Sequence, residues 1–264
     1  NELCQMARPT HGLITNIGSA HTATFGGFEG VIRGKSELFE YLRTSQGLPF
    51  INIEDKVLAN MAKRFEGKIL YPSDAMKFVA AQPMLSYERA EVTHQTHLLG
   101  AYNYMNLAAA LAVGTYFEVE EELLLDAVNN YQSDNMRSQL LLKGTNQILL
   151  DAYNANPDSM RVALNSLDAF EGDKVAILGD MNELEDSEAA HFQLLQEADQ
   201  MGLRMIITVG PQMALIKDRF PEVKWFGTAT EVTHFVKEMS FEHTAVLIKA
   251  SRSIELELVI SSFN

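Results

Sequence analysis

The sequence predicts an α/β protein, and two observations support this fold class. From residue 139 onward, short apolar runs rich in Val, Ile and Leu alternate regularly with helical patterns, which is typical of a parallel, doubly wound sheet. Before residue 134 the pattern is less regular and includes an alternating stretch from Val79 to Leu99, typical of antiparallel strands. The change of pattern predicts two domains, residues 1–134 and residues 135–264.

In the first domain, 12-GLITNIG-18 predicts a buried strand that runs into a loop. The segment 34-GKSELFEYLRT-44 predicts a helix with Ser36 as an early cap. The further elements predicted here are strands at 49–54 and 67–71 and helices at 55–65, 102–116 and 119–131.

In the second domain, six strands are predicted at 139–143, 147–151, 174–180, 205–210, 223–227 and 244–250. The predicted helices cover 157–169, 187–201, 211–219 and 228–239. Ligands of open α/β sheets bind beyond the carboxyl ends of the strands. Three polar clusters follow such ends and are candidate sites: 151-DAYNAN-156, 179-GDMNELED-186 and 249-KASRS-253.

Composition limits the classes of function. The 264 residues are 47% hydrophobic, which is enough to give each domain a core, and the longest apolar run, 107-LAAALAV-113, is too short to predict a membrane span. A net charge of −14 argues against bulk nucleic-acid binding. The single cysteine, Cys4, favours a reducing cytoplasm. Because the sequence begins at Asn1 without a targeting signal, we expect a piece of a longer protein.

The segment 30-GVIRGKS-36 resembles the end of a phosphate-binding loop, but three residues separate its glycines where that loop needs four. Lys35 is then either a solvated residue of a first helical turn or a group that acts on an anion or a metal. An unmodified ammonium does not bind Mg²⁺, whereas a lysine carbamate offers oxygen ligands. His21, in the loop before this helix, is either a hydrogen-bonded loop histidine or a metal ligand.

Other polar residues also have two interpretations. Asn103 and Asn106 share one face of a first helical turn, where they either cap the helix or bind a base or ribose. Arg137 is either a surface residue or a phosphate ligand. The last cluster, 249–253, is either a polar loop or an anion site that contains Lys249, Ser251 and Arg252.

The stretch 149-LLDAYNANPDSM-160 is more informative. Pro157 suits the first turn of a helix, and Asn156 and Asp158 can cap that helix. Capping leaves three residues unexplained and available for a ligand: Asp151, Tyr153 and Asn154.

Taken together, these motifs resemble the Mur ligase family over essentially the whole chain. The motifs are 16-NIGSAH-21, Lys35 in GKSE, 100-GAYNYMNLAAA-110, 151-DAYNANPDSM-160, 178-LGDMNEL-184 and 249-KASRS-253. The resemblance implies the later part of a central ATPase domain, to about residue 134, followed by a complete Rossmann-like C-terminal domain with a mainly parallel sheet. It also implies a UDP-binding domain and a phosphate loop upstream, so we expect the chain alone to be inactive.

YNANPDSM and LGDMNEL are most similar to the branch of the family that adds D-alanyl-D-alanine to a UDP-N-acetylmuramoyl-tripeptide. The resemblance implies a cytoplasmic monomer that uses ATP and Mg²⁺ to form an acyl phosphate, which the amine of the dipeptide attacks. Tyr102 stands where relatives often have histidine, and Ala152 where some have a second acid. Alternatives are another amide ligase of this superfamily, such as a folylpolyglutamate synthase relative, or a noncatalytic binding module.

The resemblance also implies roles for individual residues. His21 and a carbamylated Lys35 would hold Mg²⁺. Asn103 would lie near adenine, Arg137 would reach the phosphates and Asp151 would contact the ribose. The residues implied on the side of the incoming dipeptide are Tyr153, Asn154, Lys249, Ser251 and Arg252.

Overall fold

The computed structural model describes residues 2–18, 25–182 and 184–263, and the chain divides into two compact units. The first unit comprises Asn1–Ala80, Leu85–His97 and Ala101–Tyr131. The second unit comprises Ala81–Met84, Leu98–Gly100 and Gln132–Asn264. No helix among the described residues is both long enough and apolar enough to cross a membrane.

The first unit contains a parallel sheet with the strand order β1 (His11–Ile14), β2 (Leu48–Asn52) and β3 (Ile69–Tyr71). The helices along this part of the chain are α1 (Glu2–Ala7), α2 (Phe28–Ser45), α3 (Lys56–Met61), α4 (Asn103–Tyr116) and α5 (Glu121–Asn130), with a 3₁₀ turn at Ala62–Arg64. Three strands, β4 (Met76–Ala81), β5 (Met84–Arg89) and β6 (Val92–Leu99), form a further sheet in chain order. The two-residue connections between these three strands are those of antiparallel hairpins, as predicted.

Successive side chains of β2 point to opposite faces of the parallel sheet, as the strand geometry requires. Ile51 packs with Phe39 and Leu42 of α2 in one apolar cluster. Phe50, its neighbour, lies edge-on to Tyr116 of α4, with ring centroids 5.4 Å apart. The apolar sides of α2 and α4 therefore cover the two faces of β2.

Helix α2 begins at Phe28, six residues earlier than the sequence pattern predicts. Gly26 and Gly27 have φ values of 72° and 90°. The sequence predicts a loop for the whole glycine-rich segment before residue 34, although the helix has already begun at Phe28. Gly30 is already helical, and a Cβ there would lie 1.7 Å from the Phe25 carbonyl oxygen. The prediction of Ser36 as an early cap is therefore wrong, since Ser36 lies inside the helix and its hydroxyl donates to the Ile32 carbonyl.

The second unit contains a six-stranded sheet in the order β11-β10-β9-β12-β8-β7. All neighbours are parallel except β7 and β8, so the predicted mainly parallel sheet is confirmed. Its strands are β7 (Gln139–Lys143), β8 (Asn146–Asp151), β9 (Asp173–Gly179), β10 (Met205–Val209), β11 (Lys224–Phe226) and β12 (Thr244–Lys249). Its helices are α6 (Pro157–Asp168), α7 (Ser187–Asp199), α8 (Pro211–Ala214) and α9 (Ala229–Met239), with 3₁₀ turns at Lys217–Arg219, Arg252–Ile254 and Leu256–Ser262.

Two apolar clusters lie on the two faces of this sheet. Leu149, Leu178 and Leu247 belong to one cluster, which includes apolar residues of α6 and α7. Their strand neighbours Ile148 and Ile177 belong to the other, which includes apolar residues of α9 and of the last 3₁₀ turn. Strands β8, β9 and β12 are thus apolar on both sides, which explains their continuous apolar runs.

The amino ends of β8 and β12 are joined by Asn146, whose side chain is 3% exposed. Its Nδ2 donates to the Phe241 carbonyl at 2.7 Å, and its Oδ1 accepts from the Thr244 amide at 3.1 Å. These bonds fix the start of β12 against the start of β8.

The helix predicted at 211–219 is instead interrupted. Helix α8 ends at Ala214, and a 3₁₀ turn at Lys217–Arg219 follows. Asp180, which follows β9, accepts from the amides of Gln212 and Met213 at 3.0 Å each and so satisfies the first turn of α8. Gly210 precedes this turn with φ of 115°, and a Cβ there would lie 2.5 Å from the Asp180 carboxyl carbon.

We expect Gly210→Ala to lower the free energy of unfolding by roughly 2–4 kcal/mol, because it adds left-handed strain and displaces the Asp180 carboxylate. The matched control is Gly202→Ala, where φ is 65° and a Cβ would meet nothing within 4 Å. That change should cost only about 1 kcal/mol. Urea unfolding measures both, and equal losses would contradict the proposed close contact.

Candidate functional site

The three polar clusters that follow β8, β9 and β12 lie at one edge of the second unit's sheet. Strand β12 lies between β8 and β9, and Lys249 is in register with Asp151 on one side and with Leu178 on the other. Because the three strands are parallel, their carboxyl ends meet there. The structure therefore brings together the clusters 151–156, 179–186 and 249–253, with Glu183 outside the described residues.

A buried ion pair lies at the centre of this edge. The Lys249 ammonium donates to Asp151 Oδ2 at 2.7 Å and to the Asn154 carbonyl at 2.9 Å. The Lys249 side chain is 1% exposed and that of Asp151 is 16% exposed. Burial lowers the pKa of Lys249 below its ordinary value; the Asp151 carboxylate opposes this shift and the Arg137 charge adds to it. Lys249 thus binds the strand end and the following loop together.

Around this pair, the other predicted residues of the β8 loop have partners within the protein. The Arg137 guanidinium lies over the Tyr153 ring, 4.1 Å from its centroid. Asp151 Oδ1 accepts from the Ser138 amide at 3.4 Å, and Asn154 Oδ1 accepts from the next amide in the chain at 2.8 Å. Tyr153 is 46% exposed, so much of its surface is open to a ligand.

The start of α6 follows the predicted cap. Asn156 Oδ1 accepts from the Ser159 amide at 2.9 Å, the Ser159 hydroxyl accepts from the Asn156 amide at 3.1 Å, and Pro157 is the first helical residue. This is a capping box, in which Asn156 holds the cap position and Ser159 returns a bond to it. Asp158 instead lies in the first turn, 3.8 Å from Arg161 in an ion pair. The prediction that capping accounts for Asn156 and Pro157 is confirmed.

The loop after β9 is tied to the loop after β12. Ser251 is 2% exposed, and its Oγ accepts from the Asn182 amide at 2.9 Å, while its own amide donates to the Asp180 carbonyl at 3.0 Å. Asn182 Nδ2 donates to Ser253 Oγ at 2.9 Å. Ser251 therefore fixes the two loops together.

Arg252, the residue after Ser251, is largely exposed. It forms an ion pair with Glu257 and lies 3.8 Å from the Met136 sulfur. The Glu257 carboxylate raises the pKa of Arg252 above its ordinary value.

A buried histidine that the sequence did not single out supports the same edge. His191 is fully buried in α7; its Nε2 accepts from the Met181 amide at 2.9 Å, and its Nδ1 donates to the Ser187 carbonyl at 2.6 Å. An Nε2 that accepts from an amide carries no proton, so the ring is neutral. Burial accordingly lowers the pKa of His191, against smaller opposing effects of Ser187 and Asp180.

Lys35 and Asn103 belong to the first unit. Lys35 lies inside α2, not in a first helical turn, and its Nζ donates to the Asn16 carbonyl at 3.0 Å. The whole of 30-GVIRGKS-36 is helical, which excludes a phosphate loop there. His21 lies outside the described residues, so its predicted role as a metal ligand stays a prediction.

Asn103 is the first residue of α4 and is buried, and Asn106, which is exposed, donates from Nδ2 to Asn103 Oδ1 at 2.9 Å. The predicted helix cap is therefore wrong, since Tyr102 takes the cap position without a capping side chain. The role of Asn103 beside a base stays a prediction.

Sequence reasoning missed Asn52, the last residue of β2, and Asp55, which follows that strand in 52-NIED-55. Asp55 caps α3, since its Oδ1 accepts from the amides of Val57 and Leu58 at 2.9 and 3.1 Å. The available signal was an Asx residue at the end of a buried strand. It was overlooked because 52-NIED-55 is far in the sequence from the glycine-rich loop that drew attention to Lys35.

Comparison with known proteins identifies matches along nearly the whole chain. Residues 1–114 match the family model of the Mur ligase middle domain, and residues 136–252 match that of the Mur ligase glutamate ligase domain. The UDP-N-acetylmuramoyl-tripeptide–D-alanyl-D-alanine ligase of Bacillus subtilis is 30% identical over 281 residues, covering 98% of this chain and 60% of that protein.

Solved structures agree with these matches. MurF from Acinetobacter baumannii superposes with a TM-score of 0.81 at 25% identity, covering 97% of this chain and 60% of that one. A MurF ligase from Thermotoga maritima in complex with ADP has the same fold, with a TM-score of 0.82 at 22% identity over 99% of this chain and 63% of that one. The chain thus spans about 60% of the length of the curated relatives it matches.

We expect Lys249→Met to lower the free energy of unfolding by roughly 2–4 kcal/mol, because it leaves the Asp151 carboxylate without its cation. We expect a smaller loss of stability than for a fully buried ion pair, because the Asp151 side chain is partly exposed and still accepts a hydrogen bond from the Ser138 amide. Lys237→Met, at an exposed site of α9, should change stability by less than about 0.5 kcal/mol. Guanidinium unfolding measures both, and a loss no larger than that of Lys237→Met would contradict the role of the pair.

The lowered pKa of His191 predicts a pH dependence. The unfolded chain takes up a proton below about pH 6.5, the ordinary value, whereas the folded chain keeps His191 neutral until the pH falls through its lower pKa. Stability therefore decreases as the pH falls below about 6.5, by at most about 1.4 kcal/mol per pH unit from this residue. His191→Gln should remove that slope in urea unfolding between neutral and mildly acidic pH, whereas His234→Gln, at an exposed position, should leave it unchanged.

Proposed function

Because the chain belongs to the Mur ligase family, we propose that it is a fragment of an ATP-dependent ligase that adds D-alanyl-D-alanine to a UDP-N-acetylmuramoyl-tripeptide in peptidoglycan precursor synthesis. The observation that carries this proposal is the match along 98% of the chain to curated ligases of that name, at 30% identity for the Bacillus subtilis protein. Residues 1–134 would be part of the central ATP-binding domain, and residues 135–264 the C-terminal ligase domain.

The proposed reaction uses ATP to activate a carboxylate. The terminal carboxylate of the tripeptide attacks the γ-phosphorus of ATP, and ADP leaves, giving an acyl phosphate. The neutral amine of the dipeptide then attacks the acyl carbon, its nitrogen loses a proton to solvent, and the tetrahedral intermediate expels phosphate to leave an amide. Such phosphoryl transfer depends on positioning and on stabilisation of charge.

The carboxyl edge of the second unit suits the nucleotide and dipeptide ends of this reaction. Arg137 is a cation for phosphate, and the Asp151 carboxylate is an acceptor for ribose hydroxyls. Tyr153, Asn154 and Arg252 are exposed and polar or aromatic, as contacts to a small zwitterionic dipeptide require.

Lys249 and Ser251, also proposed on this side, are buried, so their contribution would be to hold the loops that carry those contacts. In the first unit, Asn103 would lie near adenine.

Mg²⁺ would neutralise charge on the transferring phosphoryl group. Within the described residues, no three His, Cys, Asp or Glu side chains are grouped to hold a metal ion. Lys35 fits the role only as a carbamate, since its ammonium would repel the ion and offers no lone pair. His21 would be its companion ligand.

The activity is tested with protein expressed from the complete gene, supplied with ATP, Mg²⁺, UDP-N-acetylmuramoyl-tripeptide and D-alanyl-D-alanine. We expect dipeptide-dependent phosphate release and a product of the joined mass. Lys35→Ala should reduce the rate by roughly a hundredfold or more, and Lys237→Ala, at an exposed site, should not.

Turnover with glutamate instead of the dipeptide would identify a folylpolyglutamate-type ligase, and no turnover with either would favour a noncatalytic binding module. The 264-residue chain is assayed in parallel, because the sequence predicts that it is inactive alone. Gel filtration of the complete protein checks the proposed monomer.

A further inference from the structure

Four consecutive residues, beginning with the last residue of β1, are each held by a side chain from elsewhere in the first unit. The Tyr71 hydroxyl donates to the Ile14 carbonyl at 3.5 Å, and Asn52 Nδ2 donates to the Thr15 carbonyl at 3.1 Å. The Lys35 ammonium donates to the Asn16 carbonyl at 3.0 Å, and the Ile17 amide donates to Asp55 Oδ2 at 2.7 Å. We call residues 14–17 the clamped segment.

The side chains that hold the clamped segment come from four different elements. Lys35 lies in α2, Asn52 ends β2, Asp55 precedes α3 and Tyr71 ends β3. A turn needs one or two such bonds, so four bonds from four elements fix the position of the segment and not only its conformation. Tyr71 is 1% exposed, and burial, with the nearby Asp55 charge, raises its pKa to about 12, so its hydroxyl keeps the proton that it donates.

Asp55 divides its two oxygens between two tasks. Oδ1 accepts from the first amides of α3, while Oδ2 accepts from Ile17. Asn52, which is 4% exposed, is used in the same way: Oδ1 accepts from the Glu54 amide at 2.9 Å, and Nδ2 binds the segment. The helix start and the clamped segment are thereby fixed relative to each other.

We propose that Asn52 and Asp55 are positioning residues for Lys35: they fix the clamped segment, whose Asn16 carbonyl orients Lys35 Nζ for carbamate formation. This inference rests on the proposed function, in which Lys35 would hold Mg²⁺ as a carbamate. Neither residue contacts substrate in this scheme, and both act through the Asn16 carbonyl.

The chemistry is consistent with this hydrogen bond. The neutral Lys35 amine attacks the carbon of CO₂, a new N–C bond forms, one C=O electron pair moves to oxygen, and a proton leaves Nζ to solvent. The carbamate nitrogen keeps one hydrogen, so the Asn16 carbonyl can accept from it before and after the reaction. The bond does not by itself favour the carbamate, but a fixed acceptor restricts rotation of the carbamate and would hold its oxygens in one orientation for Mg²⁺.

Asp55→Asn separates the two tasks, because an amide has one acceptor oxygen where the carboxylate has two. The oxygen that caps α3 can be kept, and the acceptor for the Ile17 amide is lost. The matched control is Asp186→Asn, since Asp186 caps α7 through Oδ1, which accepts from the Ala189 amide at 3.0 Å. Asn52→Asp is a second variant, which keeps the acceptor for Glu54 and removes the donor to Thr15.

The measurement is the carbamate signal of the complete gene product by ¹³C NMR, under fixed ¹³C-bicarbonate and Mg²⁺. Lys35→Ala identifies the signal of Lys35. We expect Asp55→Asn and Asn52→Asp, at the fixed Mg²⁺ concentration, to lower the carbamate equilibrium constant roughly three- to tenfold, because metal binding would then have to restrict a carbamate that rotates freely. Asp186→Asn should leave it unchanged. Amide exchange at Ile17 should accelerate in Asp55→Asn at an unchanged urea midpoint.

An Asp55→Asn protein with faster Ile17 exchange and a wild-type carbamate signal would overturn the proposal. So would a wild-type protein without any Lys35 carbamate. The ligase assay is independent of both results: dipeptide addition without a carbamate would leave the proposed function standing and refute only the inference about Lys35. If Asp55→Asn unfolds, Asn52→Asp decides by the same signal.

Discussion

The second unit depends on the placement of β12 between β8 and β9. This order brings the ends of three strands side by side, and it places Lys249 opposite Asp151 in register. A lysine with 1% exposure is tolerated only where groups such as a carboxylate and a carbonyl accept hydrogen bonds from its ammonium. The loops that carry the candidate ligand contacts are fixed by that requirement, since Lys249 binds both the end of β8 and the Asn154 carbonyl.

Much of the second unit could be predicted from the sequence because its central strands are apolar on both faces and its helices α6 and α9 are amphipathic. The interruption after Ala214 could not, since Met213 and Ile216 continue an apolar pattern across it and both are buried. The early start of α2 was missed for a different reason. The Phe25 carbonyl approaches Gly30 so closely that a side chain would not fit there. From the sequence alone, a glycine required by such a close contact cannot be distinguished from one required by a turn.

The candidate site was predicted in part. Subtracting the capping residues from 151-DAYNANPDSM-160 left Asp151, Tyr153 and Asn154, which lie at the carboxyl edge. The partners of these residues could not be predicted, because strand order in a sheet does not follow chain order. The same holds for Asn52 and Asp55, whose bonds to residues 14–17 cross between elements that local patterns treat separately.

The Asp151–Lys249 pair also has a consequence for folding, because its partners are 98 residues apart in the sequence. Contacts that close such long loops form late, after the entropy of closure has been offset by other contacts. Asn146 ties the amino ends of the same two strands over an equal separation, from Asn146 to Thr244. A second unit that has formed β8 to β11 but not yet inserted β12 therefore lacks both ties. Its carboxyl edge is completed by the last strand to arrive.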